Sequence, residues 1–228
     1  MTVFTDYGLA AVGVVLGLQL RRRAERHVSR RLWAACFLAV ALAAVTGGTS
    51  HGWAPRMEEA ARIALWRVTY GLVGLGNLFI LAGAVVAATR AGLRAALVVA
   101  LVLRFAVWFA FISMRPDFRY VVYDYAGTLL GLLVFTRWLA RHGRPGGAWI
   151  AAGVLTSLAG AAIQRAGLDP SPAFNHNDLF HVVQAVGLYF YFRGGLVLTD
   201  VPRPMKEEEA LSGLLEDDPR GPEATAGR

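Results

Sequence analysis

Seven apolar runs follow one another along this chain with only short charged or Pro/Gly-containing breaks between them, and each is about as long as a bilayer is thick. They lie near residues 5–20, 32–50, 63–88, 91–113, 120–140, 148–165 and 178–199. A run of roughly 20 apolar residues is what one membrane-spanning helix needs. Of the 228 residues, 56% are hydrophobic and 17% are charged, whereas soluble domains carry about 25% charged residues. The spans use up the length, which leaves no room for a separate soluble catalytic domain. The predicted fold is therefore all-α, a seven-transmembrane helix bundle over residues 1–200. Between the third and fourth runs only Thr89, Arg90 and the stretch to Arg94 interrupt the apolar pattern, and reading those two as one span lowers the count to six. The remainder, 201–228, contains KEEE and LEDD and few aromatics, which reads as a disordered, charged, cytoplasmic tail.

The formal charge of +7 belongs to the loops, where Arg and Lys orient a membrane protein by staying on the cytoplasmic side. The first loop, RRRAERHVSRR, holds Arg21, Arg22, Arg23, Arg26, Arg30 and Arg31. The third has Arg90 and Arg94, the fifth Arg137, Arg141 and Arg144. The opposite loops are sparser and are offset by Glu58, Glu59, Asp117 and Asp169. This predicts an N-terminus outside and a C-terminus inside, in a bacterial cytoplasmic membrane. The start, MTVFTDYG, lacks a basic segment and a clear cleavage site, so it reads as a retained first span. The basic balance is used on the membrane, and nucleic acid is not an expected partner. Cys36 is the only cysteine, so an intramolecular disulfide or a cysteine zinc cluster is excluded. Lys206, in the tail, is the only lysine, which excludes a retinal Schiff base. His51, His176 and His181 gather on one side, which disfavours a haem held between two.

Ionisable residues inside a bilayer are costly and mark function or pairing. In the predicted topology Asp6, His51, Asp124, His176, Asp178 and His181 all fall toward the outer side. Residues three or four apart share a helix face, so Asn177, His181, Gln184 and Tyr191 line one side of the seventh span. Tyr120, Tyr123, Asp124 and Gly127 do so in the fifth, and Arg67, Tyr70, Gly74 and Asn77 in the third. His176 and His181, five apart, point about 140° away from each other on one helix. They meet only if His176 sits in the turn before the helix. Each residue also has a plainer role: Asp6 and Asp178 as helix caps, His51 as an interfacial residue, and Arg104 with a carboxylate as an intramembrane ion pair.

The pairing of GGTSHG, ending in His51, with NHNDLFH, carrying His176 and His181, resembles the superfamily of seven-helix membrane hydrolases that contains alkaline ceramidases and adiponectin/progestin-type receptors, in a bacterial branch. That resemblance implies a zinc ion on His51, His176 and His181, with water as fourth ligand. The chain departs from the family pattern at Gly47, where a serine is usual, and at Asn177, where the first histidine of the seventh span is usual.

Together these observations lead to the expectation of a zinc-dependent integral-membrane hydrolase acting on an amide or ester bond of a lipid-like substrate. Asp124, Asp178 or Asp6 would serve as base or orienting carboxylate, and Ser50 or Thr49 as donor to the oxyanion. The alternative is a non-catalytic, metal-binding or receptor-like seven-helix protein, which Gly47 and Asn177 favour. A small transporter using Asp124, Asn77, Arg104 and Gln184 is a third class. Cysteine-accessibility mapping is expected to find the first loop on the cytoplasmic side; labelling of that loop from outside would reverse the orientation.

Overall fold

The computed structural model describes residues 2–201. Seven α-helices run through them: α1 (Thr2–Arg22), α2 (Val28–Trp53), α3 (Glu59–Ala88), α4 (Ala91–Met114), α5 (Phe118–Arg141), α6 (Gly147–Ala166) and α7 (His176–Leu196), with a single 3₁₀ turn, Ala54–Arg56, after α2. The break between the third and fourth apolar runs falls at Thr89 and Arg90, so these are two helices. The charged tail read from residue 201 onward lies outside the described residues beyond Val201.

Six of the helices, α1 to α6, are long and apolar enough to cross a membrane, which suggests an integral membrane protein. The seventh carries His176, Asn177, Asp178, His181, Gln184 and Arg193, and its polar face separates it from that set. Helices are the natural elements here because every backbone N–H and C=O is satisfied within the segment.

The packing order is a ring. α2 lies between α1 and α3, α3 meets α5, α5 meets α6, α6 meets α7, and α7 returns to α1. α4 stands outside it, with its extensive contact on α3 alone. It is also the most apolar span and the least buried one. In water such a helix would be an aggregation site, whereas in lipid its apolar surface is already in a matching solvent.

The core of the ring is built around Trp33, which is fully buried. Its indole N–H donates to the Ile80 carbonyl at 3.0 Å, and its ring meets Tyr191 edge-on at 6.3 Å. This closeness requires Gly83, because a Cβ there would lie 2.3 Å from Trp33 Cδ1 and 3.0 Å from the Ser29 carbonyl. Small residues at helix crossings are how membrane bundles gain van der Waals contact when no hydrophobic effect separates helix from lipid.

The segment that follows α7 is tied back to the start of α2. Both oxygens of Asp200 accept backbone N–H groups, from Val28 at 2.7 Å and Ser29 at 3.1 Å. A carboxylate there satisfies two of the orphan donors of the helix N-terminus and complements its dipole. Arg30 Nε adds a donor to the Leu198 carbonyl at 2.6 Å.

Gly83→Ala is expected to lower the stability of the detergent-purified protein by about 1–3 kcal/mol through overpacking. Gly92→Ala, where nothing lies within 4 Å of an added Cβ, is expected to be neutral or slightly stabilising. Thermal unfolding of the two variants side by side checks this, and equal midpoints would show that the Trp33 contact is not tight.

A candidate acid–base site where three helices meet

The first two turns of α1 and α7 and the last turn of α2 converge on one carboxylate. Asp6 is 3% exposed. Its Oδ2 accepts from His51 Nδ1 at 2.9 Å, and its Oδ1 lies 3.1 Å from His181 Nε2. Space for this carboxylate is made by Gly48, since a Cβ at that position would fall 2.7 Å from Asp6 Cβ. The second glycine of GGTSHG is thus the residue that lets α1 close on α2 at the depth of His51.

The two imidazoles are held differently. The Nδ1 of His181 lies 3.1 Å from Thr5 Oγ1, so both of its ring nitrogens are engaged, and the side chain is only 10% exposed. His51 uses Nδ1 on Asp6 and has no hydrogen-bond partner at Nε2 among the described residues; its side chain is 34% exposed. The ring sits edge-on to Trp66 at 5.4 Å.

Asp178 joins the cluster through Thr5, whose Oγ1 is 3.0 Å from Asp178 Oδ1. Its other oxygen accepts the Asn175 N–H at 2.9 Å, while the Asn175 side chain accepts from the N–H groups of Asn177 and Asp178. This reciprocal box caps α7. A fully buried carboxylate with both oxygens so engaged acts as a cap and an anchor for α1, and a base role would require breaking that cap.

The remaining sequence candidates lie elsewhere. His176 turns away from the cluster, with its Nδ1 on Asp169 Oδ1 at 2.7 Å. The hydrogen bond from this ring, together with one from the His176 backbone N–H, holds the Asp169 carboxyl below the ordinary carboxylate range. Ser50 is buried and donates to the Thr46 carbonyl at 3.1 Å. Thr49 donates to the Val45 carbonyl at 2.8 Å and meets Tyr7 OH at 3.1 Å. Neither hydroxyl is free to serve an oxyanion as arranged.

Asp124 belongs to a second polar group, formed by α3, α4 and α5. Its Oδ1 accepts from Arg104 at 2.6 Å and its Oδ2 from Asn77 Nδ2 at 2.7 Å. The pairing expected for Arg104 on general grounds is thus with this carboxylate, and it links the outlying α4 to α5. The polar face of α7 divides between partners: His181 goes to Asp6, Asn177 accepts from Gln164 at 3.3 Å, and Gln184 donates to Tyr125 OH at 3.2 Å and accepts from Ser157 at 3.3 Å.

The donor set does not fit the three-histidine zinc site that the resemblance implies. His176 is on Asp169, His181 has no unengaged nitrogen, and Asp6 lies between the two rings that remain. Among the described residues no group of three His, Cys, Asp or Glu side chains is placed to hold a metal ion.

Over residues 1–200 the chain matches the profile of DUF6962, described as a family of unknown function. The chain belongs to DUF6962. No curated protein and no solved structure matches it. Membership in DUF6962 extends over all seven helices and lends no activity, so function is argued from the side chains alone.

Thr5, which links Asp178 to His181, was missed at the level of sequence; its only signal was its place beside Asp6 in the first turn of α1. Asp169 was counted as a loop charge, with nothing local to pair it with His176.

Asp124→Ala is expected to destabilise the protein by about 3 kcal/mol, because it leaves the Arg104 guanidinium unpaired at membrane depth. The double variant Arg104→Leu with Asp124→Leu is expected to recover most of that loss. Failure of the double variant to recover stability would mean that the pair does more than satisfy itself.

Proposed function

We propose that the Asp6–His51–His181 cluster is the working site of this protein and that it performs acid–base hydrolysis of an amide or ester bond in a lipid-like substrate. The reading rests on one observation. A buried carboxylate holds the Nδ1–H of His51 at 2.9 Å, while the other nitrogen of the same ring is unengaged and the side chain about a third exposed. This is the arrangement by which an imidazole takes a proton on one nitrogen and has the resulting charge stabilised on the other.

In the proposed step a water molecule attacks the substrate carbonyl as His51 Nε2 removes its proton. The imidazolium is stabilised by Asp6, which keeps Nδ1–H oriented. His51 then returns the proton to the leaving nitrogen or oxygen as the carbon–heteroatom bond breaks. His181, itself held by Thr5, acts by positioning Asp6, and no step is routed through a metal. The substrate class follows from the setting, since the described residues form apolar helices around the cluster.

A second reading has its own support. Both oxygens of Asp6 and both nitrogens of His181 are engaged, so the cluster also serves as a closed joint between α1, α2 and α7. On that reading the protein is a non-catalytic, receptor-like bundle.

Hydrolysis of a panel of fluorogenic esters and lipid amides by purified protein separates the two. Activity in wild type, reduced about 100-fold or more in His51→Ala and retained in His176→Ala, is the expected result. No hydrolysis across the panel, with His51→Ala and Asp6→Ala losing thermal stability alike, would replace the hydrolase with the joint. Elemental mass spectrometry on the same samples is expected to find no stoichiometric zinc; one zinc per chain, lost in His51→Ala and His181→Ala, would mean that the donors rearrange around an ion.

A further inference from the structure

The other end of α1 carries a site that the acid–base reading does not use. Arg21 and Arg22 close α1, and Arg31 stands in the first turn of α2. Along α1 they lie about 23 Å from Asp6, at 1.5 Å per residue. Between them is a cavity of about 580 Å³, with Glu25 at its rim and Ala34, Ala35 and Leu38 forming its apolar side. Three arginines and one glutamate thus line it. Arg21 and Arg22 make no side-chain hydrogen bond among the described residues, and their donors are available.

The turn that shapes the cavity is built rather than loose. Glu25 adopts a left-handed backbone at φ 48°, a conformation costly for a residue other than glycine. It is held there by Arg31, whose guanidinium donates to the Glu25 carbonyl at 2.7 Å, and by the neighbouring Ala24, which is 2% exposed. A strained turn fixed by a basic residue pre-positions that residue's remaining donors.

The apolar side of the cavity continues into the membrane. Four and eight residues back from Arg22, on the same face of α1, Leu18 and Val14 are each about 40% exposed, and on α2 Leu42 follows Leu38 with 55% exposed. A cationic mouth that opens onto two exposed apolar stripes is complementary to a molecule with an anionic head and hydrocarbon tails. Basic pockets between helices at a membrane face bind phospholipid headgroups in this way, and guanidinium forks match phosphate oxygens in pairs.

We infer that the cavity between the end of α1 and the start of α2 is a binding site for an anionic phospholipid, with Arg21, Arg22 and Arg31 on the phosphate and the acyl chains along Leu18, Val14, Leu38 and Leu42. The neutral-headgroup lipid of the same chain length lacks the net charge that this mouth selects. The site stands independently of the Asp6 cluster at the other end of α1.

The test is native mass spectrometry of the full-length protein in detergent, titrated with phosphatidylglycerol, phosphatidylcholine of the same acyl chains, or inorganic phosphate. The expected result is retention of one phosphatidylglycerol per chain, with phosphatidylcholine and phosphate each bound at least tenfold more weakly. Arg21→Gln with Arg22→Gln is expected to weaken phosphatidylglycerol by roughly ten- to thirtyfold, at about a factor of five per neutralised basic residue. Arg56→Gln with Arg115→Gln, which removes the same charge at the other end of the bundle, is expected to leave it unchanged. Ala35→Glu, which puts a carboxylate into the cavity and leaves all three arginines in place, is expected to match the first pair, so the inference does not rest on one variant folding. Equal binding of the two lipids, or equal losses in the two arginine pairs, would overturn it. Binding of phosphate as tight as that of phosphatidylglycerol would reassign the cavity to a free anion. A several-fold gain in lipid affinity on neutralising Glu207, Glu208 and Glu209 to glutamine would assign it to the acidic tail of the chain itself.

Discussion

A buried carboxylate shared by two imidazoles closes this bundle. The ring of helices runs from α1 through α2, α3, α5 and α6 to α7, and its two ends must be joined where the first and last helices meet. Asp6 does this, with one oxygen on α2 through His51 and the other on α7 through His181. Thr5 and Asp178 reinforce the α1–α7 contact and the cap of α7 together. An unpaired carboxylate at that depth would be costly, so the three helices are held in the one register that satisfies it. Gly48 is the steric condition for this register and the hydrogen bonds are its energetic content.

The same rule operates at α4 with a different result. This helix is the most apolar and the least buried, and hydrocarbon contacts give it little reason to prefer one rotation about its axis. Arg104 supplies the reason, because only one rotation brings it to the carboxylate that Asn77 also holds. Both oxygens of Asp124 are held there and the Arg104 Nε is buried without a partner among the described residues, whereas in the Asp6 cluster the unengaged nitrogen belongs to His51, on a side chain about a third exposed. The proposed chemistry rests on the cluster whose open nitrogen is part-exposed.

The two ends of α1 are chemically opposite. One end holds a carboxylate against two histidines, the other a run of arginines around an apolar-sided cavity. Arg31 has two consequences there, since it orients loop charge and also fixes the left-handed turn at Glu25. The anchoring of Asp200 on the N-terminus of α2 brings the segment after α7 to this same face.

The number of helices, their boundaries to within a few residues and the membrane setting were legible in the sequence, because length and apolarity of a segment are local properties and a helix satisfies its own backbone in lipid. The residues of the candidate site were also legible as types: Asp6, His51, Asp178 and His181 stand out as ionisable groups in apolar runs. Their partners were not. Whether His176 or Asp6 would meet His51 depends on the rotation of α1 and α7 about their axes and on a glycine that admits one carboxylate, and the capping of α7 pulls His176 to Asp169 instead. Asp124 shared a predicted depth with Asp6 yet lies across the bundle with Arg104, since depth along the membrane normal follows from position in a span whereas lateral neighbours follow from packing. The sequence by itself determined what could be buried in this protein; the tertiary structure decided which polar groups would satisfy one another, because that choice is made by side chains on different helices.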